Sequence, residues 1–176
     1  ASVGLGLIAL LSARLARRGA GVQEVVRAIG TWSERTTITF SVASLEYLRR
    51  GGRISAAQAV VGNLLGLRPV LHWAGERVQA VDRARGARDA FAKVMARVAR
   101  DAPPGTRIRA GLIAASDATD RLDEVERRLR EEWDVVELLR GGITGVIGAH
   151  TGPGTWAVVI QRVDDDDPLL ADGAAP

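Results

Sequence analysis

Cysteine is absent from the 176 residues. That removes disulfides, thiolate nucleophiles and cysteine-ligated zinc from consideration, and it fits a reducing, cytoplasmic location. Aromatic residues amount to 4%. The interior must therefore be built from Ala, Val, Leu and Ile, and the stacking platforms that hold single-stranded nucleic acid are poorly supplied. Lysine is almost missing, Lys93 being the sole example, so positive charge rests on arginines spread along the chain. The formal net charge of +3 does not point to DNA or a membrane surface, although it allows a local docking face for an acidic partner. The longest apolar run, Val3–Ala13, ends at Arg14. It is too short to cross a bilayer, which takes about 20 residues, and no basic segment precedes it as in a signal peptide.

Signatures of catalysis are lacking as well. Ser55, His150 and Asp117 supply the residue types of a hydrolytic triad, but no nucleophile elbow or oxyanion motif accompanies them. The two histidines have no metal-ligand spacing, so neither a metal nor a catalytic residue is expected. Gly4-x-Gly6-x-x-Ala9 mimics a dinucleotide fingerprint without the preceding strand that such a site requires. The acidic run Asp164–Asp167 reads as part of a solvated, disordered tail from Val163 onward.

What is present is organised around Ser44–Leu71. Leu45 and Leu48 share one face of a short helix, with Tyr47 beside them. Arg49 and Arg50 occupy its last turn, where positive charge suits the helix dipole, and Gly51-Gly52 supplies a left-handed stop. The corner delivers Arg53, after which Ser55 caps a second helix. An arginine held between two helices beside glycines is placed to bind an anion; an ordinary solvated corner has the same spacing. His150, in GAHTGPG, is the second candidate, because glycines free its backbone and its imidazole can donate to a carboxylate or phosphate. An ordinary turn histidine is the alternative. His72 alternates with apolar neighbours in a strand and is assigned a structural role.

Apolar periodicity places helices over Leu5–Arg18, over Val22–Ser33 with Val25, Val26 and Ile29 on one face, and over Gly86–Arg100; Leu122–Glu132 reads as a charged surface helix. Strands are expected at Thr36–Val42, Arg107–Ala114, Trp133–Leu139 and Thr155–Gln161, with a hairpin after Pro69 turning at Ala74-Gly75-Glu76. Gly141–Gly148 reads as a glycine-rich approach to His150. The order implies an α/β fold with a mixed sheet and flanking helices. The divisions expected are residues 1–35 as a helical remnant of, or linker from, an upstream domain, 36–162 as the main domain, and 163–176 as the tail.

LEYLRRGGRIS, followed by VGNLLGLRPVL, resembles the signature of the DegV family of bacterial fatty-acid-binding proteins, and GVIGAHTGPGTWAVV resembles that family's C-terminal motif. The resemblance implies two α/β domains enclosing one long-chain fatty acid, whose carboxyl is presented to a partner fatty acid kinase for phosphorylation. It implies no enzyme activity of the chain itself, no cofactor beyond the bound lipid and no nucleic acid partner, and it leaves room for transient membrane contact. Arg53 and His150 would lie near the headgroup, with Gly52, Ile54, Thr151 and Gly152 beside them. Val60, Val61, Leu64, Leu65, Val70 and Leu71 would be candidates for the tunnel wall, and Arg83 and Arg85 for docking the kinase. The chain would be the C-terminal portion, the domain that gives a threonine and a serine to the carboxylate lying upstream of Ala1. An α/β enzyme using His150 as general base and Arg53 as anion clamp, or a regulatory module with a vestigial pocket, are the competing readings.

Overall fold

Residues 2–52, 67–74 and 77–170 are described by a computed structural model of the chain. The elements run α1 (Val3–Arg17), α2 (Val22–Glu34), β1 (Thr36–Ser41), α3 (Glu46–Arg50), β2 (Leu67–Ala74), β3 (Arg77–Arg85), α4 (Gly86–Asp101), β4 (Arg107–Ala114), α5 (Asp120–Glu132), β5 (Asp134–Gly142), α6 (Gly145–Thr151) and β6 (Trp156–Arg162). The strands form one six-stranded sheet in the order β3-β2-β1-β6-β4-β5. β4 and β5 pair in parallel through α5, and the other neighbours are antiparallel. The mixed sheet and the hairpin are as expected. The hairpin turn, Ser55 and the helix expected after it lie outside the described residues.

Pleating sends alternate side chains to opposite faces, and the two faces have different fates. One is sealed: Val70, Ala84, Ala110, Leu112, Val158 and Ile160 pack against Ala90, Val94 and Val98 of α4 and Leu122, Val125 and Leu129 of α5. On the other face, Ile38, Ile113, Ala157 and Val159 lie under the start of α1, and Leu48 of α3 covers Leu71. α1 comes close because glycines remove side chains at the crossing. A Cβ on Gly111 would stand 2.7 Å from Val3 Cγ1, and one on Gly4 3.3 Å from Val159 Cγ1. Gly4 of the apparent dinucleotide fingerprint thus serves helix–sheet packing.

Three local expectations change. In α2 the buried residues are Ala28 and Trp32, whereas Val26 and Ile29 are 56% and 36% exposed. The inward face is set by Trp32, which packs with Leu7, Leu11 and Leu15 of α1. The glycine-rich approach to His150, Gly141–Gly148, is mostly regular structure, since β5 runs on to Gly142 and α6 begins at Gly145. The start of the acidic tail is also not solvated throughout. Asp167 is buried and takes both Nη1 and Nη2 of buried Arg109, at 2.7 and 3.0 Å. The Trp32 indole N–H donates to the same carboxylate at 3.0 Å, and Gln161 Oε1 accepts from Arg109. Arg35 holds Asp164 and Asp166, and Leu169 packs against the α1–α2 cluster. Burial alone would raise Asp167, but hydrogen bonds from Arg109, the Leu169 backbone and Trp32 hold its carboxyl below the usual range.

A buried pair that loses one partner leaves an uncompensated charge. Asp167→Ala should therefore lower unfolding stability by about 3–5 kcal/mol in urea titration. A loss under about 1 kcal/mol, the range of an exposed pair, would contradict this account of the segment.

Candidate functional site

The unsealed sheet face carries a cavity of about 230 Å³, lined by Ile38, Phe40, Trp73, Val78, Ile113, Ile143, Ile147 and Ala157, with Ser2, Thr151 and Thr155 as its polar members. Its floor runs from Val78 on β3 through Trp73, Ile38 and Ala157 to Ile113 on β4, so it crosses five adjacent strands. At ordinary strand spacing that is about 19 Å, which makes the cavity an elongated apolar slot.

Over this floor stand α3 and α6, which pack against each other. Ile147 and Thr151, four residues apart, share the face of α6 that looks into the slot. Each helix lends the other a glycine. A Cβ on Gly51 would overlap Nδ1 of His150, and a Cβ on Gly152 would run into the Tyr47 ring. The imidazole of His150 therefore lies on the backbone of Gly51, and the phenol of Tyr47 on that of Gly152. Two glycines end their helices in positive φ, Gly52 at 68° and Gly152 at 76°, a region open to glycine at little cost.

The turn after α6 is tied down by side chains. Thr155 Oγ1 donates to the carbonyls of Thr151 and Gly152, at 3.0 and 2.8 Å. The Gly154 N–H donates to Asp117 Oδ1 at 2.9 Å. Asp117, a triad candidate by residue type, thus anchors the glycine turn, a role with no signal in the sequence. Thr151 Oγ1 donates to the Ile147 carbonyl and keeps lone pairs to spare. Among the described residues His150 Nδ1 is buried without a hydrogen-bond partner, an uncommon state for a buried polar atom.

The sequence candidates divide accordingly. His150, Thr151, Gly152 and Gly52 meet where α3 and α6 end. Arg53 and Ile54, with Val60, Val61, Leu64 and Leu65, lie outside the described residues. Val70 belongs to the sealed face and Leu71 lies beneath α3, so neither lines the slot. Arg83 and Arg85 are exposed. Phe40, Trp73, Ile143 and Ile147 are lining residues that sequence reasoning missed; alternation in β1 and β2 carried part of that signal.

His72 has the structural place expected of it, on the opposite face. Its Nε2 lies 3.0 Å from Nη2 of Arg97, which can only donate, so Nε2 accepts and the proton sits on Nδ1. Nδ1 is 3.0 Å from Thr39 Oγ1 and 3.5 Å from Asp101 Oδ2. Burial lowers the imidazole's pKa, Asp101 opposes that, and Arg97 adds to it, so the ring is held neutral. Among the described residues no group of three or more His, Asp or Glu is placed to hold a metal ion. No helix among them is long and apolar enough to cross a membrane.

Comparison with known proteins gives this geometry relatives. Residues 1–163 match the family described as "Uncharacterised protein, DegV family". A DegV domain-containing protein of Streptomyces coelicolor is 36% identical over 161 residues, covering 91% of this chain and 57% of that protein. A solved DegV family protein from Thermus thermophilus, described by its fatty acid binding, is 34% identical with a TM-score of 0.84, over 92% of this chain and 58% of that one. A DegV lipid-binding protein from Thermotoga maritima is 27% identical with a TM-score of 0.83, over 93% and 57%. The chain thus spans little more than half the length of these relatives.

The α3–α6 contact can be tested with paired glycines. Gly51→Ala, which forces the imidazole aside, should destabilise the chain by about 1–3 kcal/mol and shift the His150 ring resonances in NMR spectra. Gly30→Ala, in α2 with nothing within 4 Å, should instead stabilise it by about 1 kcal/mol. Equal effects at the two positions would show that His150 does not lie on Gly51.

Proposed function

Because this chain belongs to the DegV family, we propose that it binds a long-chain fatty acid in the slot beneath α3 and α6 and presents the carboxylate to a partner fatty acid kinase. The observation that carries the binding half is the slot itself: a long apolar trough across five strands, with few hydroxyls and the α3–α6 corner beside it. An acyl chain gains from burying its length against such a wall, and its single anionic end needs a few aimed donors in one place. The fatty acid binding described for the Thermus relative supports the same reading.

In this reading residues 36–162 form the lipid-binding domain. His150 and, by the family resemblance, Arg53 donate to the carboxylate. Gly52 and Gly152 let the backbone turn close to it, and Thr151 and Ile54 flank it. His150 is suited to the task because it stands at the end of α6 next to Thr151, which lines the slot, and an imidazole N–H can donate to a carboxylate. The protein works as a carrier in the bacterial cytoplasm, without a cofactor of its own, and the chemistry on the carboxyl belongs to the kinase. Contact with the membrane is transient.

Native mass spectrometry of the intact protein tests this. A co-purifying C14–C18 acid is expected, retained by the parent and lost from Ala157→Phe, which fills the slot. His150→Ala should weaken retention by about 1.5–3 kcal/mol, roughly 10- to 150-fold in Kd. An empty protein that turns over an ester would favour enzyme activity, and an acid held equally well by all three forms would remove the slot from consideration.

A further inference from the structure

A second cavity lies beside the slot and is larger, at about 710 Å³. Its walls include Tyr47, Ala114, Thr144 and the α6 glycines Gly145, Gly148 and Gly152. The helix α6 is the partition between the two spaces. Ile147 and Thr151 look into the slot, whereas the three glycines, at helical spacing, share the face turned to the cleft.

At the start of α6 the partition thins to one side chain. Among the described residues Ile143 alone lines both cavities. Its N–H donates to the Ala114 carbonyl at 3.0 Å, immediately beyond the pairing of Ala114 with Gly142. Its side chain packs against the floor cluster that holds Ile113 and Ala157. On the cleft side little backs it. A Cβ on Gly148 would meet Ile143 Cγ2 at 3.7 Å and nothing else within 4 Å, and a Cβ on Gly142 or Gly145 would meet nothing. Side chains at these positions would occupy the cleft. Glycine, a poor helix former, leaves it open.

The carrier reading fixes the direction of the chain. With the carboxyl at the α3–α6 corner, where α6 ends, the acyl chain runs back past Thr151 and Ile147 towards the helix start. Its methyl end therefore arrives at Ile143. A side chain branched at Cβ has few rotamers, so it makes a firm stop and not a flexible flap.

We propose that Ile143 is the stop that sets the length of acyl chain the slot accepts, and that the cleft behind it takes the terminal carbons of a longer chain once the stop is removed. This rests on the carrier reading above and adds to it the residue that determines specificity. Each methylene buried along the slot tightens binding about fourfold until the methyl end meets Ile143, and further carbons then gain nothing.

The test titrates saturated acids from C12 to C22 into the intact, delipidated protein and records Kd against chain length. In the parent, Kd should fall about fourfold per added carbon up to a limiting length, then level off or rise. Ile143→Ala should move that limit out by roughly two to four carbons, and Ile143→Phe should move it in by a similar amount. Gly148→Leu added to Ile143→Ala refills the vacated space and should restore the parent limit. Binding of the C12 acid, which ends short of the stop, should stay within about twofold in the parent, Ile143→Ala and the double variant. Should Ile143→Ala fail to fold, the shortened limit of Ile143→Phe decides the matter alone. The same limit in the parent and both single variants would overturn the stop while leaving the carrier reading intact. A parent that binds none of the acids would overturn the carrier reading and the stop together.

Discussion

Gly51 has no side chain, and the imidazole of His150 lies where one would be. Residues almost a hundred positions apart are thereby brought within van der Waals reach, and the reciprocal contact of Tyr47 with Gly152 locks the arrangement from the other side. Neither contact tolerates an added methyl group without displacing a ring. The site depends on this constraint: it sets the height of α3 and α6 over the sheet and holds the histidine beside the apolar slot. Asp117 and Thr155 then secure the turn that follows, so His150 stands on a braced helix end.

The sheet is stabilised mainly elsewhere. α4 and α5 seal one face with a continuous aliphatic core. The far end of β4 and β6 is closed by the buried cluster of Arg109, Gln161, Thr36, Trp32 and Asp167. Every polar member of that cluster is hydrogen-bonded, as burial of a charge pair requires. The face left for the slot is only partly covered, by the start of α1 and by the short helices α3 and α6. Two small helices packed through glycines are a weaker cover than α4 or α5. That division, a sealed face for stability and a lightly covered face for a guest, is what an apolar carrier needs.

Much of this was legible in the residues. Alternation and β-branching marked β1 and β4, Gly51-Gly52 marked the end of α3, and the two family motifs marked the corner where His150 lies. The failures have physical causes. Of the stripe Val25, Val26 and Ile29 only Val25 packs inward, because the inward face of α2 is decided by the larger Trp32 and its partner Asp167, a contact across 135 positions that local periodicity cannot register. The run Asp164–Asp167 looks like solvated tail because its partners, Arg35 and Arg109, lie far off in the chain. Val70 has the apolar character of a tunnel wall, yet strand parity puts it on the sealed face. The glycine-rich approach Gly141–Gly148 carries no helical signal because glycine is a poor helix former, and the packing of α6 against α3 overrides that preference.

The central claim is that the acyl chain lies along the slot with its carboxyl at the α3–α6 corner. The most direct measurement is isotope-filtered NMR on the intact protein with bound ¹³C-palmitate. Nuclear Overhauser contacts are predicted from the lipid methylenes to the methyls of Ile38, Ile113 and Ile147 and the ring of Trp73, with the carboxyl carbon resonance moved by His150→Ala. Bound palmitate that shows no contact with any of these four side chains, and whose carboxyl resonance ignores His150, would contradict the account.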